Sequence, residues 1–246
     1  MRHSLSPTDV PERPSNISAL EACTLLNALT DEERASLAGE SFMAYAERGE
    51  AIWLSGSPSL FCGVMGVGFV KMTKPTLQGM DVAVELLGPG QCFGLMAALE
   101  GRPFPLAAVA VTNAWYLKVP TRALAPLYQS SSALKDQVVR TICPRLRRAH
   151  EMMGRLSSGR VEERLAAVLM LLADSYGTPD DDGTVIEVPL TRQDLSEMAG
   201  TTVETTIRIM SRWQKECLVS TDRRRIRLHD LAALAGAMRG GLDAGG

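Results

Sequence analysis

The chain has 246 residues, 46% of them apolar and 22% charged, with a net charge of −2. That is the composition of an ordinary globular protein, long enough for one large domain or two smaller ones. It excludes a broadly basic nucleic-acid binder, so any basic surface has to be local.

The opening residues, MRHSLSPTDVPERPSN, lack the apolar core of a secretory signal. No apolar run approaches the roughly 18 residues needed to span a bilayer, so the expected compartment is the cytoplasm, with no membrane partner. Residues 1–16 read as a polar, proline-punctuated mobile leader, and the closing GGLDAGG as a tail of the same kind. Five cysteines (Cys23, Cys62, Cys92, Cys143, Cys217) include no C-x-x-C pair. An odd number at wide spacing supports neither a disulfide framework nor a zinc site, and each reads as a small buried hydrophobe.

Residues 17–39 carry helical periodicity, and LTDEERASLA opens with Thr30 and Glu33 in capping-box spacing. From about 41 to 120, short apolar runs alternate with glycine and proline turns, the pattern of an antiparallel β-sandwich or barrel. TRALAPLYQ is a short helix, followed by a longer one from Ser132 to Leu156. In that helix Leu134, Val138, Ile142, Leu146, Ala149, Met153 and Leu156 step by three or four residues. Such a narrow stripe suits a seam with a second copy, or one long core helix over the sandwich. Pro144 falls inside it and predicts a kink. LSSGR ends the helix, VEERLAAVLMLLADSYG forms the next, and TPDDDGTVIEVPL makes a turn and a short strand.

TRQDLSEMAG is a compact helix with Thr191 as N-cap, Gly200 forms a turn, and TTVETTIRIMSRWQKE makes a second helix. Thr206, Ile209, Met210 and Trp213 form its core stripe. Its other face mixes Val203 and Ile207 with Glu204, Arg208, Ser211 and Arg212. CLVSTDRRRIRLHD follows as two short strands around TDRR. Two helices, a tight turn and a hairpin make a winged helix-turn-helix, whose second helix enters the major groove of double-stranded DNA. There Glu204 can accept from cytosine N4, Arg208 can pair with guanine O6 and N7, and Val203 and Ile207 suit a thymine methyl. A surface ion pair between Glu204 and Arg208 would leave the two apolar residues unexplained. Expected phosphate contacts are Thr191, Arg192 and Gln193 at the first helix, Thr202 and Arg212 on the second, and Arg223, Arg224 and Arg225 at the wing tip.

With these parts in view, the chain resembles the CRP/FNR superfamily of bacterial transcription regulators over about residues 17–236. The resemblance is carried by RGE (48–50), SGSP (55–58), GFVK (68–71), LLGPGQCFG (86–94) and AAVAVTNAWYLKVP (107–120) in the first half. In the second half it lies in LTRQDLSEMAGTTVETTIRIMSRWQKE. It implies an α+β chain: an N-terminal double-stranded β-helix (a jelly roll like a cyclic-nucleotide-binding domain), a long dimerisation helix and a C-terminal winged helix-turn-helix. The implied limits are a leader to 16, a β-roll sensor over 17–128, a dimer helix over 129–158, the DNA-binding domain over 159–236 and a tail from 237. Val203, Glu204, Thr205 and Arg208 match the FNR branch, which implies a TTGA-like inverted repeat and RNA polymerase as a partner. FNR-type members carry Ser at the position of Ile207, so the adjacent base stays open.

The sensor half departs from its relatives. Where cyclic-nucleotide binders have Gly-Glu for the ribose and Arg-Ser for the phosphate, this chain has Gly94-Leu95 and Phe104-Pro105. Leucine accepts no hydroxyl and no cation meets the phosphate, with Arg102 the nearest substitute, so cyclic AMP is disfavoured. An iron–sulfur cluster is disfavoured too, because Cys23 is alone in the N-terminal region where such relatives place several. Haem stays open: His3, His150 and His229 are the three histidines, and none lies on the roll. Thiol sensing through Cys62 or Cys92 has no basic neighbour to favour it. A sensor whose helix-turn-helix makes a protein contact remains an alternative, whereas an enzyme has no supporting cluster of reactive residues.

Overall fold

The structure is a computed structural model that describes residues 10–76 and 81–238, with residues 155–158 described by their backbone alone. The chain divides into two compact units, the first made of the residues to Lys74 with Val84–Arg147 and the second of Pro75–Ala83 with the residues from Arg148.

In the first unit, the helical stretch consists of α1 (Asn16–Glu21), a 3-10 turn (Thr24–Leu26) and α2 (Asp31–Glu40), the last opened by the expected Thr30–Glu33 capping box. The break has a local cause. Thr30 accepts from the Glu33 N–H and donates its own N–H to the Glu33 carboxylate, which requires the extended backbone seen there (φ −67°, ψ 163°). A helix cannot run through a residue held that way.

Eight strands follow: β1 (Phe42–Ala46), β2 (Ala51–Trp53), β3 (Phe61–Val67), β4 (Val70–Pro75), β5 (Asp81–Leu87), β6 (Cys92–Phe93), β7 (Ala107–Ala110) and β8 (Ala114–Pro120). They form two four-stranded sheets, β1-β8-β3-β6 and β2-β7-β4-β5. Side chains such as Met65, Val70, Phe93 and Tyr116 fill the inner core, while Val64, Leu117 and Val119 belong to a second core with the helices. The first sheet is therefore apolar on both faces, which is why β8 reads as the nearly unbroken run AWYLKV. A short helix, α3 (Leu95–Glu100), follows β6 and was not legible in the sequence. Then come α4 (Thr121–Ser130) and α5 (Ser132–Ser158), the latter assigned without a break through Pro144.

The proposed seam on α5 needs correction. Leu134 and Val138 are buried in the roll's own helix-facing core and Ile142 packs against it, so the first two cannot also meet a partner. The exposed apolar residues are Val139 (56%), Leu146 (52%) and Met153 (57%). They repeat every seventh residue, alternating with half-buried Ile142 and Ala149. The side chain of Leu156 lies outside the described residues.

In the second unit, α6 (Val161–Tyr176) is followed by the hairpin β9 (Gly177–Asp180) and β10 (Gly183–Ile186), where one strand was expected. Next come α7 (Arg192–Ala199), α8 (Val203–Lys215), β11 (Val219–Asp222), β12 (Arg225–Leu228) and α9 (Leu231–Met238). The four strands form one sheet, β11-β12-β10-β9. The tail expected from 237 is corrected at its start, since Ala237 is buried on α9; residues 239–246 lie outside the described residues.

The leader is corrected as well. Residues 1–9 lie outside the description, but Pro11 is buried, its carbonyl accepts from the Trp115 indole (2.8 Å), and Asn16 already belongs to α1. Among the cysteines, Cys23, Cys62 and Cys92 are buried, whereas Cys143 and Cys217 are exposed, against the expectation for all five.

Candidate nucleic-acid interface

Local chemistry sets each end of the helix pair. Thr191 caps α7, accepting from the Asp194 N–H, and the Asp194 carboxylate accepts the Thr191 N–H (2.9 Å). Gly200 closes α7 in the left-handed conformation (φ 60°, ψ 48°). Thr202 then caps α8 by accepting from the Thr205 N–H.

The inward face of α8 is Thr206, Ile209, Met210 and Trp213, all buried. Its outward face carries Glu204, Ile207, Arg208, Ser211 and Arg212, all exposed, with Val203 half-buried at the first turn. Ile207 is 46% exposed between two charged neighbours. The four candidate base-reading residues thus lie together at the N-terminal half of one face.

Two residues that sequence reasoning missed hold this helix pair in place. Glu162 on α6 accepts from the Trp213 indole (3.0 Å) and pairs with Arg212. Arg164, also on α6, donates to the carbonyls of Gly159 (2.9 Å), Ala199 (2.9 Å) and Gly200 (3.1 Å). A cation on the last carbonyls of α7 also complements the negative end of its dipole. Both residues sit in an ordinary-looking acidic and basic first turn, VEER, and no spacing rule marks them.

Most of the candidate phosphate contacts already have partners within the protein. Thr202 and Gln193 are exposed, but the Thr202 hydroxyl caps α8 and donates to the Thr205 hydroxyl (3.1 Å), and Gln193 donates to Glu197 (2.8 Å). Thr191 spends its hydroxyl and its N–H on Asp194. Arg192 is half-buried, donates to the Thr221 hydroxyl (3.0 Å), and has its pKa drawn down by burial. Arg212 pairs with Glu162 and Glu216, and the hydrogen bond to Glu162 raises its pKa. Arg225 is corrected: it lies on β12, paired with Glu187 at 3.4 Å, and not at the tip.

The tip itself is Arg223 and Arg224, both exposed and both left-handed, at φ 44° and 70°. They join Asp222 to its register partner Arg225 as a two-residue loop. Such a loop favours Asn-Gly, because each left-handed side chain costs about 1 kcal/mol or more. Two arginines in those seats are strained positions that carry charge outward.

The candidate effector residues occupy a filled space. Gly94 caps α3, and a Cβ there would lie 2.8 Å from the Phe104 ring and 2.9 Å from Trp53. Phe104 stacks on Trp53 with centroids 4.0 Å apart, and Trp53 stacks on Phe93 at 5.0 Å. The Trp53 indole donates to the Leu106 carbonyl (3.0 Å). Leu95 and Phe104 are therefore buried core residues, and Pro105 and Arg102 are exposed. Of the four candidate effector residues, Gly94, Leu95 and Phe104 thus pack in the core of the roll beside Trp53, and Pro105 faces solvent.

The thiol site gains a basic neighbour that the sequence does not disclose: Arg145 donates to the Cys92 carbonyl (2.7 Å) and pairs with Glu85. A hydrogen bond with Cys62, then burial, raises Cys92, and burial pushes Cys23 up to about 12. Of the histidines, His229 has Nδ1 against the Asp182 carbonyl and Nε2 against the Ser220 hydroxyl; His150 is exposed and His3 lies outside the described residues.

Comparison with known proteins decides the family. Residues 163–237 match the Crp-like helix-turn-helix domain, and residues 44–131 match the cyclic nucleotide-binding domain. The chain belongs to the CRP/FNR superfamily. Among its superfamily relatives, the global nitrogen regulator of Synechococcus elongatus is 25% identical over 191 residues, covering 77% of this chain and 86% of that one. Electron transport regulator A of Shewanella oneidensis is 28% identical over 196 residues, covering 78% of each. A CRP-family transcriptional regulator from Thermus thermophilus superposes with a TM-score of 0.66 at 25% identity, over 82% of this chain and all (100%) of that one. FixK2 from Bradyrhizobium japonicum shares the fold with a TM-score of 0.70 at 22% identity, over 84% and 98%. This CRP/FNR-type chain is a transcription regulator with a helix-turn-helix of the DNA-binding kind and a cyclic-nucleotide-binding-like roll.

Proposed function

We propose that the protein works as a cytoplasmic homodimer that reads a TTGA-like inverted repeat and answers a signal other than a cyclic nucleotide. What carries this reading is the outward face of α8, where Glu204 and Arg208 can address a C·G pair while Val203 and Ile207 address thymine methyls. Arg223 and Arg224 supply phosphate contacts that position the helix without reading sequence. The working parts are a roll over 17–128, a dimer helix over 129–158 and a DNA-binding domain over 159–236, with RNA polymerase as the downstream partner. The seam between copies uses Val139, Ile142, Leu146, Ala149 and Met153. The signal acts by shifting the population of dimers whose two α8 helices fit successive major grooves, about 34 Å apart.

Fluorescence anisotropy on a duplex carrying a TTGA inverted repeat tests this. Affinity should fall steeply and log-linearly with salt. Arg208→Ala should lose about 1–3 kcal/mol of preference for the G·C pair in each half-site while non-specific binding holds. An unchanged sequence preference would remove Arg208 from the reading role.

A further inference from the structure

A carboxylate of α6 is bound to the exposed stripe of α8. Glu204, Arg208 and Arg212 follow one another at four-residue steps along that helix, so Arg212 stands one turn beyond Arg208 on the same side. The two arginines differ in their company. Arg208 is exposed and makes no ion pair among the described residues. Arg212 is bonded through Nη2 to Glu162 Oε1, and its Nε lies 3.8 Å from Glu216. Two carboxylates around one guanidinium leave an excess of negative charge there, so Arg212 as it stands adds nothing to the attraction for a polyanion.

The same oxygen of Glu162 has a second task. Glu162 Oε1 accepts from the Trp213 indole at 3.0 Å, and Trp213 is fully buried. That N–H has no other acceptor among the described residues. Moving the carboxylate away would orphan a buried donor, so Glu162 is the fixed member of the pair. Arg212 is the movable one: its side chain is 51% exposed against 27% for Glu162, and among the described residues it is tied only to the two carboxylates. A carboxylate offers a guanidinium the same kind of paired, charged oxygen acceptor that a phosphate does.

On the reading that the outward face of α8 meets DNA, we propose that Glu162 is an internal stand-in for a DNA phosphate. Held in place by Trp213, it keeps Arg212 occupied, and Arg212 reaches a backbone phosphate only by giving up that pair. Glu162 is thus a positioning residue that restrains sequence-independent attraction and leaves base reading by Glu204 and Arg208 untouched.

The test uses the full chain, with Glu162→Gln as the principal variant. The glutamine carbonyl still accepts from the Trp213 indole but lacks the charge that retains Arg212. Anisotropy titrations run at several salt concentrations on the TTGA inverted-repeat duplex and on a scrambled duplex of equal length. Glu162→Gln should bind both several-fold more tightly and by the same factor, with a log–log salt slope steeper by about 0.9 for each Arg212 that gains a phosphate. In an Arg212→Ala background that gain should shrink. Equal gains with and without Arg212 would mean that Glu162 merely repels DNA, and would overturn the proposal. Unchanged affinity and slope in Glu162→Gln would overturn it too. Glu216→Gln loosens Arg212 without touching Trp213 and should give a smaller gain of the same sign; if circular dichroism shows Glu162→Gln unfolded, no gain from Glu216→Gln is the overturning result. Loss of the G·C preference in Arg208→Ala, with Glu162→Gln behaving as native, removes the stand-in and keeps the reading of α8. A native chain that binds neither duplex removes both.

Discussion

The two ends of this chain treat apolar side chains in opposite ways. In the second unit, α8 leaves Ile207 on a charged, solvent-facing surface, and the wing tip holds two arginines in left-handed seats. In the first unit, Phe104, Trp53 and Phe93 are packed away on one another in the core of the roll. One end leaves an apolar side chain in solvent and holds strained backbone. The other packs its aromatic side chains on one another. An exposed apolar residue among charges is a departure from ordinary packing that asks for a reason, whereas an aromatic cluster in a core is explained by packing alone.

The comparison can be strained at several points. Leu146→Glu should have the largest effect, because it places a charge on every copy of the proposed seam. Analytical ultracentrifugation should show monomers, and affinity for the inverted repeat should fall by about 10²–10⁴ with the loss of bivalency. A variant that stays dimeric and binds normally would move the seam elsewhere. Phe104→Ala should come next, lowering stability by about 3–5 kcal/mol in denaturant unfolding. Sequence preference in the surviving folded fraction should hold, since that residue belongs only to the filled end. If cyclic AMP then protected the native chain, but not this variant, against unfolding, the contrast between the two ends would collapse. The smallest effect is at the wing. Arg223→Asn with Arg224→Gly should stabilise the chain by about 1 kcal/mol by relieving the left-handed strain. The same change should flatten the salt dependence of DNA binding by about 0.9 in log–log slope for each phosphate left unneutralised, equally for all sequences. Gained stability with unchanged DNA binding would leave the wing arginines without a role.

The helix pair was legible because Thr191 and Gly200 sign the two ends of α7 where the structure uses them, whereas the second helix, expected from Thr201, starts at Val203 behind a Thr202 cap that was not read. The buried face of α8 was readable from its period for the same reason. The α5 seam was half legible. Seven apolar residues lie along that helix at the right steps, but its first turns bury Leu134 and Val138 in their own roll, and a linear period cannot say which neighbour covers which turn. α9 stayed hidden because LAALAGAM is apolar all round, with alanines and a glycine that show no stripe. The aromatic stack joins Trp53, Phe93 and Phe104 from three distant segments, and the Arg164 clamp spans similar separations. Contacts of that kind leave no mark on local spacing. The leader was misjudged on composition, since a polar stretch with prolines looks the same whether it is free or seated against Trp115.

One guanidinium in the second unit touches two places that would otherwise move separately. Arg164 grips Gly159, one residue beyond the end of α5, and with the same group holds Ala199 and Gly200 at the bend before α8. Because one planar group serves all three carbonyls, Gly159 and the bend between α7 and α8 are held as a single joint within this unit.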